Sequence, residues 1–160
     1  MNSGNNTPGQ RLFITNKPLT IREATIADYV LLTDLWKKAG LPYKPNGRDS
    51  LESIAREMQA GTGVFFIGLL EEMPVATVLV THDGRKGWIN RLAVLPEFQK
   101  QGIGKQLVSA SEKWLIQHNI GIFACMIEDY NTNSFIAFQK MGYIPFDGIH
   151  YLTKRLDPEI

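Results

Sequence analysis

Apolar and polar residues alternate over Leu19 to Ala24, as Leu, Thr, Ile and Arg, and predict a short first strand. From Thr25 the period lengthens. Thr25-Ile-Ala-Asp28 matches a capping box, and Ile26, Tyr29, Val30, Thr33 and Trp36 follow at helical spacing, so a first helix is expected to end near Gly40. Leu41 to Arg48 carries Pro42, Pro45 and Gly47 and cannot continue it; this is a loop with Tyr43 and Lys44 at its tip. Asp49 or Ser50 can cap a second helix with Leu51, Ile54, Ala55 and Met58 on one apolar face and Gly61 to Gly63 as its end.

Three apolar, β-branched runs come next, Val64 to Leu70, Val75 to Thr81 and Trp88 to Leu95, separated by the turn-forming Glu-Glu-Met-Pro and His-Asp-Gly-Arg-Lys-Gly. They predict an antiparallel meander. Beyond Pro96, Ile103, Leu107, Ala110 and Trp114 recur at i, i+4, i+7 and i+11, so a long helix starts near Gly102 and stops before Gly121. Gly121 to Glu128 is the next strand, and the strand, helix, strand order makes it parallel to the Trp88 strand. Asn131 or Thr132 can cap a short helix carrying Phe135, Phe138 and Met141, closed by Gly142, and Tyr143 to Phe146 and Ile149 to Lys154 predict a final pair of strands. The expected fold is α/β, a mixed, mostly antiparallel twisted sheet flanked by about four helices.

Length and composition narrow the class. The 160 residues, 44% apolar, suffice for one well-buried domain, expected over residues 18–157. Residues 1 to 17, rich in Asn, Gly, Thr and Pro, are expected to be a flexible tail that only Leu12-Phe13-Ile14 could pin. With 17 Lys and Arg against 16 Asp and Glu, the net charge of +1 gives no footprint for nucleic acid. No apolar run is long enough for a membrane span and the first ten residues lack a signal-peptide core, so a cytoplasmic protein is expected. Cys125 stands alone in an apolar run and is expected to be a small buried hydrophobe. His82, His118 and His150 show no ligand spacing, and no metal is expected.

Chemistry concentrates at Gln99-Lys-Gln-Gly-Ile-Gly104, where a strand hands over to a helix. Main-chain N–H groups are unpaired there and the helix dipole adds positive potential, so this is an anion site. Gly102 and Gly104 let a diphosphate approach the main chain across Gln101 and Ile103, while Gln99, Lys100 and Lys105 can add donors or charge. A dinucleotide fingerprint would need a third glycine where Leu107 stands. A Walker-type loop would need glycine at Gln99 and Ser or Thr at Gln106. A glycine pair that merely permits tight packing stays open beside the anion site.

At this point the chain resembles the GNAT superfamily of N-acetyltransferases over about Leu19 to Lys154. The family's pyrophosphate motif, Arg or Gln, two residues, Gly, one residue, Gly or Ala, is met by Gln99, Gly102 and Gly104. Asn90-Arg-Leu-Ala-Val-Leu-Pro96 is similar to the family's fourth strand and its exit, and Asn131 followed eleven residues later by Gly142-Tyr143 is similar to its C-terminal motif. The resemblance implies acetyl-CoA as co-substrate and a bulged Trp88 strand that splays from the Gly121 strand. The pantetheine arm would then pair with main chain of Leu92, Ala93 and Val94, and the Val94 N–H would stabilise the oxyanion. Asn131 would sit near the thiol end.

Two of the family's usual side chains are replaced. The tyrosine acid seven residues after Asn131 is Phe138, and the glutamate base of the fourth strand is Asn90, which can still orient a water. Glu128 is then the first choice as base and Tyr130 the substitute acid, with Asp129, His82 and Asp83 as further candidates. The resemblance places the acceptor pocket at Tyr43, Arg48 and Asp49. The expected function is acetyl transfer to a primary amine of a small molecule or protein; the alternative is a non-catalytic acyl-CoA binding or sensing module. Small members of the family often pair as homodimers.

Overall fold

In a computed structural model, which describes residues 18–158, the strands form one sheet in chain order. They are β1 (Leu19–Glu23), β2 (Gly63–Leu70), β3 (Met73–His82), β4 (Gly87–Val94) and β5 (Phe123–Ala124). Neighbours are antiparallel except β4 and β5, which run parallel because α3 (Ile103–Gln117) carries the chain back between them. Alternation along the strands splits the core. On one face Phe65, Ile67 and Leu79 pack against Leu32 and Trp36 of α1 (Tyr29–Lys38) and Ile54 of α2 (Leu51–Gln59). On the other, Val64, Phe66, Val78 and Val80 meet Ile103, Leu107, Val108 and Leu115 of α3 and Phe138 of α4 (Thr132–Lys140). Each such side chain contributes about 1.5–3 kcal/mol on burial, and Ile103 and Leu107 thereby fix the N-terminus of α3 against the sheet. No described helix is long and apolar enough to cross a membrane. The expected N-terminal tail with Leu12-Phe13-Ile14 lies outside the described residues.

Local chemistry sets the element ends. Ser50, not Asp49, caps α2, its hydroxyl accepting the Ser53 N–H at 3.2 Å. Ahead of α1 a 3-10 turn, Ile26–Asp28, is closed by the Asp28 carboxylate, which accepts the Thr25 N–H at 2.9 Å. Arg22 grips the same carboxylate with both terminal nitrogens, at 2.7 and 2.9 Å. Chiefly through that hydrogen-bonded pair, the Asp28 carboxyl is lowered from 3.8 to about 2. A depressed carboxyl contributes stability that is complete above its unfolded value and is lost as pH falls through about 2. Arg22→Ala is therefore expected to return the Asp28 titration toward 3.8. An NMR titration in which it stays near 2 would sink the assignment to Arg22.

Three expectations change. Val30 is 68% exposed and Leu51 52%, so neither belongs to the buried face of its helix; Leu32, Leu35 and Trp36 carry that of α1. The strand expected over Gly121 to Glu128 shrinks to Phe123–Ala124, because β4 pairs with it only at Gly87↔Phe123 and Trp88↔Ala124. Tyr143 to Phe146 and Ile149 to Lys154 form no strands: so short a β5 offers almost no ladder to pair with, and strand propensity without a partner is not enough. Ile144, Phe146, Ile149, Tyr151 and Leu152 of that segment are all exposed.

Candidate active site

The site begins with a fault in the β3–β4 ladder. Asn90 lies opposite Leu79 and Ala93 opposite Thr77, so Arg91 and Leu92 together span the single position of Val78. Arg91 takes up the kink with a φ of 48°. Past Trp88↔Ala124 the chain that follows β5 shares no ladder with β4. Between them is a cavity of about 280 Å³, lined by Ile89 to Leu92, by Cys125 to Glu128 with Tyr130, by Asn131, Ser134 and Phe138, and by Leu41 and Pro42.

At the exit of β4 a 3-10 turn, Pro96–Phe98, leads into Gln99 to Gly102. Lys100 and Gly102 are both left-handed, with φ of 61° and 78°. Gly102 starts α3 with no side-chain cap, so the first-turn N–H groups at Ile103, Gly104 and Lys105 have no partner within the helix. A Cβ on Gly102 would enter open space, and one on Gly104 would lie 3.9 Å from Leu92 Cδ2 and Val94 Cγ2. The room left at Gly104 thus lies between the helix start and the end of β4. Gln99 Nε2 donates to the Val94 carbonyl at 3.0 Å and ties the loop to the strand, while Gln101 Nε2 reaches the Glu97 carbonyl at 3.2 Å. Lys100 and Lys105 are exposed beside the N–H groups. Uncapped main-chain donors, a helix dipole and two ammonium groups fit a diphosphate.

Of the expected chemical residues, Asn90, Glu128, Tyr130, Asn131 and Phe138 are brought together around the cavity. Asn90 is half-buried, its amide 3.4 Å from Thr81 Oγ1. Glu128 is exposed, and Tyr130 is 81% exposed. Asn131 caps α4, accepting the Ser134 N–H at 3.2 Å, and still lines the cavity. Phe138 is buried, edge-on to Tyr143 at 4.9 Å. The Tyr143 hydroxyl donates to Glu112 at 2.9 Å, and burial together with that carboxylate pushes it well above the ordinary phenol value. His82 and Asp83 stand at the opposite end of β4, away from the cavity. Asp83 accepts the Arg85 and Lys86 N–H groups, both at 2.8 Å, and His82 packs against the ring pair of Trp114 and His118. Among the described residues no group of three or more His, Cys, Asp or Glu is placed to hold a metal.

Cys125 is half-buried rather than a core residue, and it lines the cavity. Burial pushes its thiol up to about 11, so almost no thiolate exists at neutral pH and no acyl-cysteine step is expected. Alkylation by iodoacetamide should be slow at neutral pH and climb only as pH nears 11, with Cys125→Ser retaining transfer. Rapid labelling at neutral pH, or acetyl trapped on Cys125, would contradict this.

The acceptor loop differs most from expectation. Tyr43, Arg48 and Asp49 do not line the cavity; Leu41 and Pro42 do. Asp49 is buried, one carboxylate oxygen 2.5 Å from Arg91 Nη2 and the other accepting the Lys44 N–H at 2.7 Å. Arg48 is exposed, 3.8 Å from that carboxylate. The half-buried Tyr43 has its hydroxyl 3.1 Å from that of Tyr29 and the Lys37 ammonium over its ring at 4.8 Å. Tyr29 donates to the Asp49 carbonyl at 2.9 Å, and burial raises its phenol to about 12. The sequence-based reading missed Arg91, whose only local signal is the one charged residue in its strand.

A bulged strand that parts from its parallel neighbour, followed by an uncapped helix start, fits a ligand that carries both an amide-rich arm and a diphosphate, as an acyl-CoA does. The chain matches the acetyltransferase (GNAT) family over residues 29–143 and belongs to it, as an acetyl-CoA-dependent N-acetyltransferase. It is 26% identical over 129 residues to an acetyltransferase of Sodalis glossinidius, across 81% of this chain and 89% of that one. To the aminoglycoside N(6')-acetyltransferase type 1 of Stenotrophomonas maltophilia it is 24% identical over 149 residues, across 87% and 95%. In fold it is similar to AAC(6')-Iy in complex with the bisubstrate analogue CoA-S-monomethyl-acetylneamine, with a TM-score of 0.73 at 20% identity, covering 86% of this chain and 99% of that one.

Proposed function

We propose that this enzyme acetylates a primary amine of a small cationic molecule by direct transfer in the gap between β4 and the chain beyond β5. The carrying observation is the cavity itself, which the bulged stretch Ile89 to Leu92 lines together with the exposed Glu128 and Tyr130. The thioester of acetyl-CoA supplies the acyl group. Gln99, Lys100, Gln101, Gly102, Ile103, Gly104 and Lys105 hold its diphosphate, main chain of Leu92, Ala93 and Val94 pairs with its amide-rich arm, and Asn131 and Phe138 flank its thiol end. The Val94 N–H faces the developing oxyanion.

An attacking amine must be neutral, and a lysine-like amine ordinarily titrates at about 10.4. Glu128 removes that proton, directly or through a water held by Asn90. Tyr130 returns a proton to the leaving thiolate, since Phe138 carries none and the Tyr143 hydroxyl is committed to Glu112. Leu41 and Pro42 wall the acceptor side, and Tyr43, Arg48 and Asp49 act through the loop that carries them. The exposed Glu128 and Asp129 favour a cationic acceptor, as does the aminoglycoside-modifying relative.

Thiol release from acetyl-CoA, measured with neamine, spermidine and a lysine peptide, tests the reading. The two small amines should turn over faster than the peptide, and Glu128→Gln should lower kcat/KM for the amine by about a hundredfold. Preference for the peptide would overturn the acceptor class, and an unimpaired Glu128→Gln the base. Tight CoA binding with no turnover of any amine would leave the binding-only alternative. The exposed Ile144, Phe146, Ile149, Tyr151 and Leu152 support a homodimer in which a second copy covers them. Light scattering should then give twice the 18.0 kDa chain mass, and a monomer at micromolar concentration would rule the dimer out.

A further inference from the structure

We infer that Arg91 is the positioning residue that sets the acceptor wall of the cleft: its guanidinium fastens the loop between α1 and α2 to the kink of β4. The inference rests on the acyl-transfer reading of the cleft and adds what determines its acceptor side.

Arg91 is held at two costs. Its backbone is left-handed, which disfavours a residue with a Cβ by about 1–2 kcal/mol, and its Nε is buried without a hydrogen-bond partner. Three contacts of the same side chain offset them. Nη2 pairs with Asp49 Oδ1 at 2.5 Å, in a setting where the two side chains are only 15% and 5% exposed. Both terminal nitrogens donate to the Pro42 carbonyl, at 3.1 and 3.3 Å. The guanidinium lies 4.0 Å from the centre of the Trp36 ring, on the α1 face of the core. A pair this well excluded from water is screened far less than a surface ion pair.

The partners of Arg91 are the loop's own fixings. Asp49 holds the Lys44 N–H with its other oxygen and accepts the Tyr29 hydroxyl on its carbonyl, and Tyr29 meets Tyr43. Pro42, gripped directly, lines the cavity together with Leu41. One side chain therefore links the bulge that opens main chain toward the acyl donor to the wall that an approaching amine must pass. Lysine cannot replace it: a single ammonium lacks the planar fork needed to serve Asp49 and Pro42 while stacking on Trp36.

The test is steady-state kinetics of Arg91→Gly, which keeps a left-handed bulge and removes the guanidinium, and of Arg91→Lys, which keeps the charge. The acceptor is whichever of neamine, spermidine and the lysine peptide the unsubstituted enzyme turns over fastest. For both variants the acceptor KM should rise about tenfold or more and the preference among the three amines should flatten, with the acetyl-CoA KM changed less than about threefold. Asp49→Asn should reproduce the split, and its effect should vanish in the Arg91→Gly background. An unchanged acceptor KM and preference in either variant would overturn the inference while leaving acetyl transfer intact. So would equal rises in both KM values, the mark of a merely structural role. If the unsubstituted enzyme turned over none of the three amines, the acceptor reading would fall and this inference with it.

Discussion

Gly104→Glu is expected to weaken CoA binding by about a hundredfold or more, because like charges brought together in a binding site cost several kcal/mol. A side chain at 104 starts 3.9 Å from Leu92 and Val94, at ordinary contact distance, so the fold accepts a Cβ there. The glutamate carboxylate would then satisfy the uncapped N–H groups of α3 from within the chain and repel a diphosphate. Gly104→Ala separates the two effects. It adds the same Cβ without charge, in a helix where alanine is favoured over glycine by about 0.5–1 kcal/mol, and should keep affinity within a few fold. Gly102 makes a poorer control, since its φ of 78° strains any other residue. Calorimetry showing equal CoA affinity for the glutamate variant and the parent would remove the cradle from residues 102–105.

The second large effect concerns the fold. Gly87 is buried at the start of β4, where its N–H donates to the Ile122 carbonyl at 2.8 Å and begins the brief pairing with β5. A Cβ at this position would lie 2.6 Å from Leu115 Cδ2 and closer still to Cδ1, and Leu115 is fully buried in α3. Gly87→Val should therefore destabilise by about 1–3 kcal/mol or more, lowering Tm by several degrees. The cradle sits at the opposite end of α3, so variant protein that folds at low temperature should still bind CoA. Thermal unfolding indistinguishable from the parent would show that Leu115 can move aside.

What was legible in the chain is what neighbouring residues decide. One of two adjacent cap candidates at each of α2 and α4, the β2–β3–β4 meander and the strand-to-helix handover at Gln99 to Gly104 are local signals, and all stand in the structure. The short β5 and the missing final strands were not legible, because pairing depends on where β4 goes after Arg91, and propensity in Tyr143 to Lys154 says nothing about an available edge. Arg91 escaped for a related reason. Its partners Pro42 and Asp49 lie more than forty residues away, and Asp49, readable as a cap or an acceptor contact, turns inward to meet it. Phe138 was visible as a departure from its family's pattern, but its edge-on contact with Tyr143 was not.

The extra residue in β4 also changes parity. Ile89 and Ala93 are four positions apart, which in a regular strand puts both side chains on one face. Here Ile89 packs in the layer beneath α3, and Ala93 in the layer beneath α1 and α2. Deleting one residue at 91 or 92 would therefore restore one-to-one pairing with β3 and straighten the kink. With a single residue opposite Val78, Ala93 would still face Thr77 and Val94 would still face Ala76, so each side chain would keep its layer. Substitutions within Asn90 to Val94 change the chemistry of the cleft, whereas loss of the extra residue would remove the kink that opens it and spare both cores.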